Sequence, residues 1–248
     1  MASLSRLIRC DDQVTLTAMS APDSGNDMPR VKWNVDRWIG TFNGGTTWRS
    51  SPDGITWTAI ANPGVGTLTI SAAEFPMAAG ANGRLVVLGG LGSSTTNAAY
   101  TDNGGVSWVA VTNSSFPKHL TYLPLQKAFV ACHYVGLPLL TRSLDNGVSW
   151  TEIEPTIYGA PEVSTLEYGD MTHLVAAGPG TLIGVIDIAV GLGGLSDDYA
   201  FLALSNDAGS SFRVVALLNR GVPDQVAYGN GSVVLLYTAD QELVWFDL

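Results

Sequence analysis

The chain has 248 residues, of which 46% are hydrophobic, only 14% are charged and 28 are Gly. That length buries one substantial core. Twelve Lys and Arg against 22 Asp and Glu give a formal charge of −10, which argues against a nucleic-acid partner or an anionic membrane surface held by electrostatics. No apolar run reaches the roughly 18 residues that span a bilayer, and the opening Met1–Cys10 lacks the apolar stretch of a secretory signal. The expectation is therefore synthesis in the cytoplasm, with no membrane insertion.

In chain order, short apolar strands recur in pairs joined by turns rich in Gly or Asn. The pairs are Val31 to Trp33 with Trp38 to Phe42, Pro76 to Ala79 with Arg84 to Leu88, Leu120 to Leu123 with Ala128 to His133, Thr172 to Ala177 with Leu182 to Ile186, and Gln225 to Tyr228 with Val233 to Tyr237. Ala81-Asn82-Gly83, Gly178-Pro179-Gly180 and Gly229-Asn230-Gly231 fit hairpin connections. The first strands begin in steps of roughly 44 to 53 residues, the size of a four-stranded sheet repeated around an axis. The fifth unit runs out of chain after Glu242 to Phe246. Val14 to Ala18, which alternates with strand period, is expected to supply its missing strand and so close a ring. Residues 1–12 are left as an arm.

After four of these pairs comes a second recurrence. Ser51-Pro52-Asp53-Gly54-Ile55-Thr56-Trp57, Thr101-Asp102-Asn103-Gly104-Gly105-Val106-Ser107-Trp108, Ser143-Leu144-Asp145-Asn146-Gly147-Val148-Ser149-Trp150 and Ser205-Asn206-Asp207-Ala208-Gly209-Ser210-Ser211-Phe212 share one skeleton. Each has Ser or Thr, then an acid or its amide, Gly, Ser or Thr, and an aromatic. The acid's oxygen can accept backbone N–H bonds in a tight turn, Gly supplies positive φ, and the aromatic fills the gap to a neighbouring sheet. Thr41 to Trp48 mimics the pattern, but its place between two strands makes it a plain hairpin.

The four copies resemble the Asp-box, or BNR, repeat of sialidases and of many non-catalytic propellers. That resemblance implies an all-β propeller, and the five strand pairs make it a five-bladed β-propeller of four-stranded antiparallel blades. It forms a single domain over 1–248, with the N- and C-termini sharing the closing blade. It makes Ser51, Asp53, Gly54, Trp57, Thr101, Asn103, Gly105, Trp108, Ser143, Asp145, Gly147, Trp150, Ser205, Asp207, Gly209 and Phe212 structural residues. Strand parity puts these turns on one side and the long connections on the other, including Glu154 to Met171 and Asp187 to Asp198.

Any ligand is expected among those connections. Candidate residues are His133, Tyr134, Tyr168, Asp170, His173, Asp187, Asp197 and Asp198. Asp170, His173, Asp187, Asp197 and Asp198 form the sharpest sugar- or cation-binding set, but no calcium-loop spacing accompanies them, and a solvated acidic loop is the preferred reading. The histidines, His119 included, lack ligand-like spacing and are expected as satisfied strand-end residues.

Sialidases use six blades, three arginines that grip the substrate carboxylate, a Tyr–Glu nucleophile pair and an aspartic acid donor. Here Arg30 and Arg220 are the only pair expected on the ligand side, and no Arg is followed by Ile-Pro. No Gly-x-Ser-x-Gly, His-Glu-x-x-His, phosphate-loop or Cys-x-x-Cys motif is present. The expectation is no catalytic residue, cofactor or metal, with Cys10 and Cys132 as thiols on non-adjacent blades.

A surface built from Ser, Thr, Asn and Gly suits packing against protein subunits or neutral glycan. Its composition is similar in style to bacteriophage virion or tail components. A non-catalytic structural subunit is thus the first expectation, with a glycan-binding propeller second and a degenerate glycosidase third.

Overall fold

A computed structural model describes residues 7–10, 16–19, 30–42, 47–65, 76–89, 98–112, 117–133, 140–159, 169–192, 195–218, 221–237, 240 and 242–247. The fold class is all-β, of the five-bladed β-propeller type. By packing it divides into two compact units, Met1–Ser114 and Ser115–Leu248.

The first unit opens with a hairpin of β1 (Leu7–Cys10) and β2 (Leu16–Met19), paired antiparallel from Leu7↔Met19 to Cys10↔Leu16. Blade 1 follows as β3 (Arg30–Asn34), β4 (Arg37–Phe42), β5 (Thr47–Ser51) and β6 (Thr58–Ala59), hydrogen-bonded in chain order. Phe42 pairs with Thr47, so the Thr41 to Trp48 stretch is a plain hairpin, as its position implied. Blade 2 repeats the meander with β7 (Met77–Ala79), β8 (Leu85–Leu88), β9 (Ala98–Thr101) and β10 (Val109–Val111). Ile39 and Trp48 from blade 1 and Leu85 and Val87 from blade 2 bury themselves in one cluster.

In the second unit, blade 3 comprises β11 (Pro117–Leu123), β12 (Ala128–His133), β13 (Leu140–Ser143) and β14 (Thr151–Ile153). Blade 4 has five strands. The short β15 (Thr156–Tyr158) lies parallel to β19 (Ser211–Leu218), outside the meander of β16 (Gly169–Ala176), β17 (Leu182–Leu192), β18 (Leu195–Ser205) and β19. The last sheet holds β20 (Gln225–Gly229), β21 (Ser232–Tyr237) and β22 (Glu242–Asp247).

Blade 4 is apolar on both faces, and its sequence shows why. Leu182-Ile183-Gly184-Val185-Ile186 is a continuous apolar run, the mark of a strand covered on both sides. Leu182 and Ile186 join Leu123, Val130 and Leu140 of blade 3, whereas Ile183 and Val185 join Val233 and Leu235 of the last sheet. Period-2 alternation sends neighbouring residues into different cores.

Three sequence expectations change. Leu16–Met19 pairs with Leu7–Cys10 in a local hairpin, so the sharing of the closing blade by the two termini is not reproduced. Closing a short loop costs less chain entropy than joining the two ends of the chain. The stretch from Asp187 to Asp198 is not a loop: β17 and β18 stay paired from Leu182↔Ser205 to Leu192↔Leu195. Finally, Glu154 to Met171 contains β15, whose three residues are too few for periodicity to reveal.

The four acidic turns link third strand to fourth in blades 1 to 4, and their chemistry is nearly the same. In the third, Asp145 Oδ1 accepts from the Ser143 hydroxyl at 2.8 Å and from the N–H groups of Val148 at 3.1 Å and Ser149 at 2.8 Å; Oδ2 accepts from the Ser149 hydroxyl at 2.6 Å. Ser143 Oγ in turn accepts from Gly147 N–H at 2.8 Å. Asp207 takes Ser205, Ser211 N–H and the Ser211 hydroxyl in the same way, and Asp53 takes Ser51 and the N–H groups of Ile55 and Thr56. Asn103 replaces the acid in blade 2. Its Oδ1 accepts from the Thr101 hydroxyl at 2.8 Å and Ser107 N–H at 3.0 Å, while its Nδ2 donates to Ser107 Oγ at 2.8 Å.

These donors hold the carboxylates ionised. Asp53 falls to about 2, chiefly through Thr56 N–H, then Ile55 N–H and the Ser51 hydroxyl. For Asp145 and Asp207, burial pushes upward, but the Ser149 and Ser211 hydroxyls and N–H groups outweigh it, leaving both below the usual carboxylate range.

The aromatics complete the turns. Phe212 is fully buried in the core shared by blades 3 and 4, and Trp108 donates Nε1–H to Ala61 O of blade 1's trailing segment at 2.9 Å.

Two outcomes follow from this geometry. Asp145→Ala should cost about 1–3 kcal/mol in urea unfolding, while Asp145→Asn should cost under about 1 kcal/mol, because Asn103 already shows an amide satisfying the same turn. A folded pKa below the ordinary 3.8 means stability that is present above that value and lost as pH falls toward about 2. The urea midpoint of the wild type should drop across that window, and replacing Asp53, Asp145 and Asp207 together by Asn should flatten the drop.

A third outcome concerns Gly209 at φ +86°, where an added Cβ would lie 2.7 Å from Leu140 Cδ1 and 3.4 Å from Val130 Cγ1 in the buried core. Gly231 at φ +84° has open space around the same position. Ala at Gly231 should cost the backbone term of about 1–2 kcal/mol alone, and Ala at Gly209 measurably more by the same urea assay.

Candidate functional site at the first strands of blades 3 to 5

Within the second unit the first strands of successive blades pack on one another, β11 on β16 and β16 on β20. This arrangement gathers the polar residues at their leading ends.

His173 on β16 is the centre of that group. It is buried, with its ring 4.7 Å from that of His119 on β11 and tilted by 36°. Its Nδ1 lies 3.2 Å from Thr172 Oγ1, and its Nε2 lies 3.3 Å from the main-chain oxygen of Asp224, just before β20. One side chain therefore touches three consecutive blades. Thr172 sits in a register shift between Met171 and His173, where its hydroxyl donates to Val185 O at 3.3 Å. The bulge re-aims the backbone here.

Asp170 pairs directly opposite Asp187 across β16 and β17. The register sets Asp198 opposite Ala189 and Asp197 opposite Val190, further along the hairpin. The expected acidic set is thus spread along a long β-ribbon instead of being gathered in one loop. Among the described residues no group of three or more His, Cys, Asp or Glu is arranged to hold a metal ion.

His133 ends β12 and stands apart from the other two histidines, its Nε2 in close hydrogen-bond contact with Thr141 Oγ1 on β13. Burial depresses its pKa, and the carboxylate of Glu152 only partly offsets this. Tyr134 and Tyr168 lie outside the described residues, as do Arg220 and the side chain of Arg30. Cys132 is a buried thiol, not in a disulfide, directly across the strand pair from His119.

Sequence reasoning named the acids and histidines but missed the stacking of His119 on His173. Its signal lay in the pair spacing: both residues fall near the start of a blade's first strand, so packing of first strands brings them together. Asp224 enters only through its carbonyl, which no side-chain pattern reveals.

No protein family's sequence profile matches the chain, and no curated protein does. Among solved structures it is similar to a structural genomics protein of unknown function from Bacteroides thetaiotaomicron VPI-5482, at 12% identity and a TM-score of 0.51, covering all of this chain and 68% of that one. It is also similar to a chain of a mitotic checkpoint complex, at 9% identity and a TM-score of 0.50, covering 96% of this chain and 79% of that one. At such identities the likeness concerns fold alone.

The geometry makes His173 a clasp between blades. His173→Phe keeps the ring but removes both polar contacts, and it should lower stability by about 1–2 kcal/mol in urea unfolding, whereas Tyr199→Phe, at an exposed position of β18, should leave the midpoint unchanged.

Proposed function

We propose that this chain is a non-catalytic interaction propeller of the Asp-box kind, working as a subunit of a larger protein assembly such as a bacteriophage virion or tail. The observation that carries this reading is the edge strand β22. Its Val244 and Phe246 face the core, while Leu243 and Trp245 are 51% and 64% exposed on the other face. Two large apolar side chains exposed together on one face of an edge strand fit a surface that is covered by protein. The chain's 14% charged residues agree with that.

Enzyme activity is not part of this proposal. His133 and His173 are engaged with backbone and hydroxyl groups, and Asp170 is paired directly opposite Asp187 across two strands. A glycan-binding role is the second reading, favoured by the exposed rings of Tyr158 and Tyr199, which offer stacking platforms for sugars.

Purification from the native source separates these readings. A structural subunit should travel with a particle, and its contact there should bury more than about 1,000 Å². Isolation as a monomer that binds immobilised glycans would favour the second reading instead. Turnover of a fluorogenic sialoside, lost on replacing Arg220, would overturn both.

A further inference from the structure

We infer that the turn side of blades 1 and 2 is a docking surface for a partner protein whose contact face is apolar at its centre and rimmed by Lys and Arg. This rests on the interaction role proposed above and assigns that role a surface.

The first observation is a backbone conflict. Val35 occupies the turn between β3 and β4 at φ +57°. This left-handed conformation is a true outlier for a β-branched residue, and hairpin turns give the position to Gly or Asn. The equivalent turn of blade 2 puts Asn82 at φ +56°, as that rule expects. Val35 is nevertheless 67% exposed, so the side chain that causes the strain gains little from packing at home. Strain kept without a local return points to a role outside the fold.

The second observation is the company Val35 keeps. Ile55 and Val106 hold the same slot, directly after the glycine, in the first two acidic turns, and are 64% and 69% exposed. Strand parity within blade 1 sets the Ile55 turn on the same side as the Val35 turn, and cross-turn contacts set the turns of blade 2 beside it. Asn34 Nδ2 donates to Gly83 O at 2.9 Å, a Cβ on Gly83 would lie 3.7 Å from Val35 Cγ2, and one on Gly104 would lie 2.9 Å from Arg37 Cδ.

Charge selects the partner. Arg37 is bonded to Asp36 and Arg84 to Asp102, but in both pairs the acid is the more exposed member, 63% against 37% and 52% against 13%. Asp53, ionised down to about pH 2, adds a further carboxylate. Three aliphatic apices thus stand among exposed carboxylates, those of Asp36 and Asp102 held by the less exposed Arg37 and Arg84, on a chain of net charge −10. A second copy of the same face would bring like charges together, whereas a basic rim would pair with them.

The test uses the full chain immobilised and panned against a displayed random-peptide library. Recovered peptides are expected to combine aliphatic or aromatic residues with Lys or Arg, and to bind less tightly as salt rises. They should lose about tenfold or more in affinity on Ile55→Ser with Val106→Ser. Val35→Gly is the decisive variant: it should leave the urea midpoint unchanged or raised, because Gly accepts the turn, while weakening the same peptides. Peptides that are acidic, that bind all variants equally, or that are not recovered at all would each overturn the assignment. Because the probe is a library, failure here with the chain still travelling in a particle refutes the surface and spares the assembly role. Success with no particle does the reverse.

Discussion

A single side-chain oxygen that gathers a hydroxyl and one or two backbone N–H groups is the constraint on which the four complete meanders depend. A turn between third and fourth strands leaves N–H groups with no ladder partner, and water is their only other acceptor. Asp53, Asn103, Asp145 and Asp207 each supply that acceptor, with the preceding Ser or Thr locking the side chain in place. The fourth strands so anchored are short, three of the four having only two or three residues. Strands of that length make few ladder bonds, so the turn fixes where each begins.

Within each unit, successive blades are joined by two devices. Turn-to-turn bonds tie the leading hairpins, as Asn34 does with Gly83 and Gln126 Nε2 with Gly180 O at 3.0 Å. The segments trailing the outer strands of blades 1 and 3 reach the next acidic turn: Ala61 N–H meets Gly105 O, and Thr156 N–H meets Ser210 O. Strand β15 extends the second case into a short parallel ladder. Between these layers the apolar residues interlock, and His173 adds a polar tie at the first strands.

Much of this was legible in the sequence because it is written in local patterns. The apolar run Val233 to Tyr237, Gly at positive-φ positions, and the recurrence of an acid or its amide two residues after Ser or Thr all express contacts within one turn or one hairpin. What escaped depended on partners distant in the chain. The pairing of β15 with β19 rests on three residues with no period, and the contact of His173 with Asp224 uses a carbonyl that every residue possesses. The long β17–β18 ribbon was missed for a different reason: Asp187, Asp197 and Asp198 look like loop residues, yet strand register tolerates acids wherever one face meets water.

The amide in the second turn makes the four blades unequal toward acid. Its geometry copies that of its siblings, yet it has no proton to gain, so acidification leaves blade 2 clasped while the corresponding clasps of blades 1, 3 and 4 are neutralised. Blade 2 is therefore the sector expected to hold its outermost strand longest in an acidic compartment.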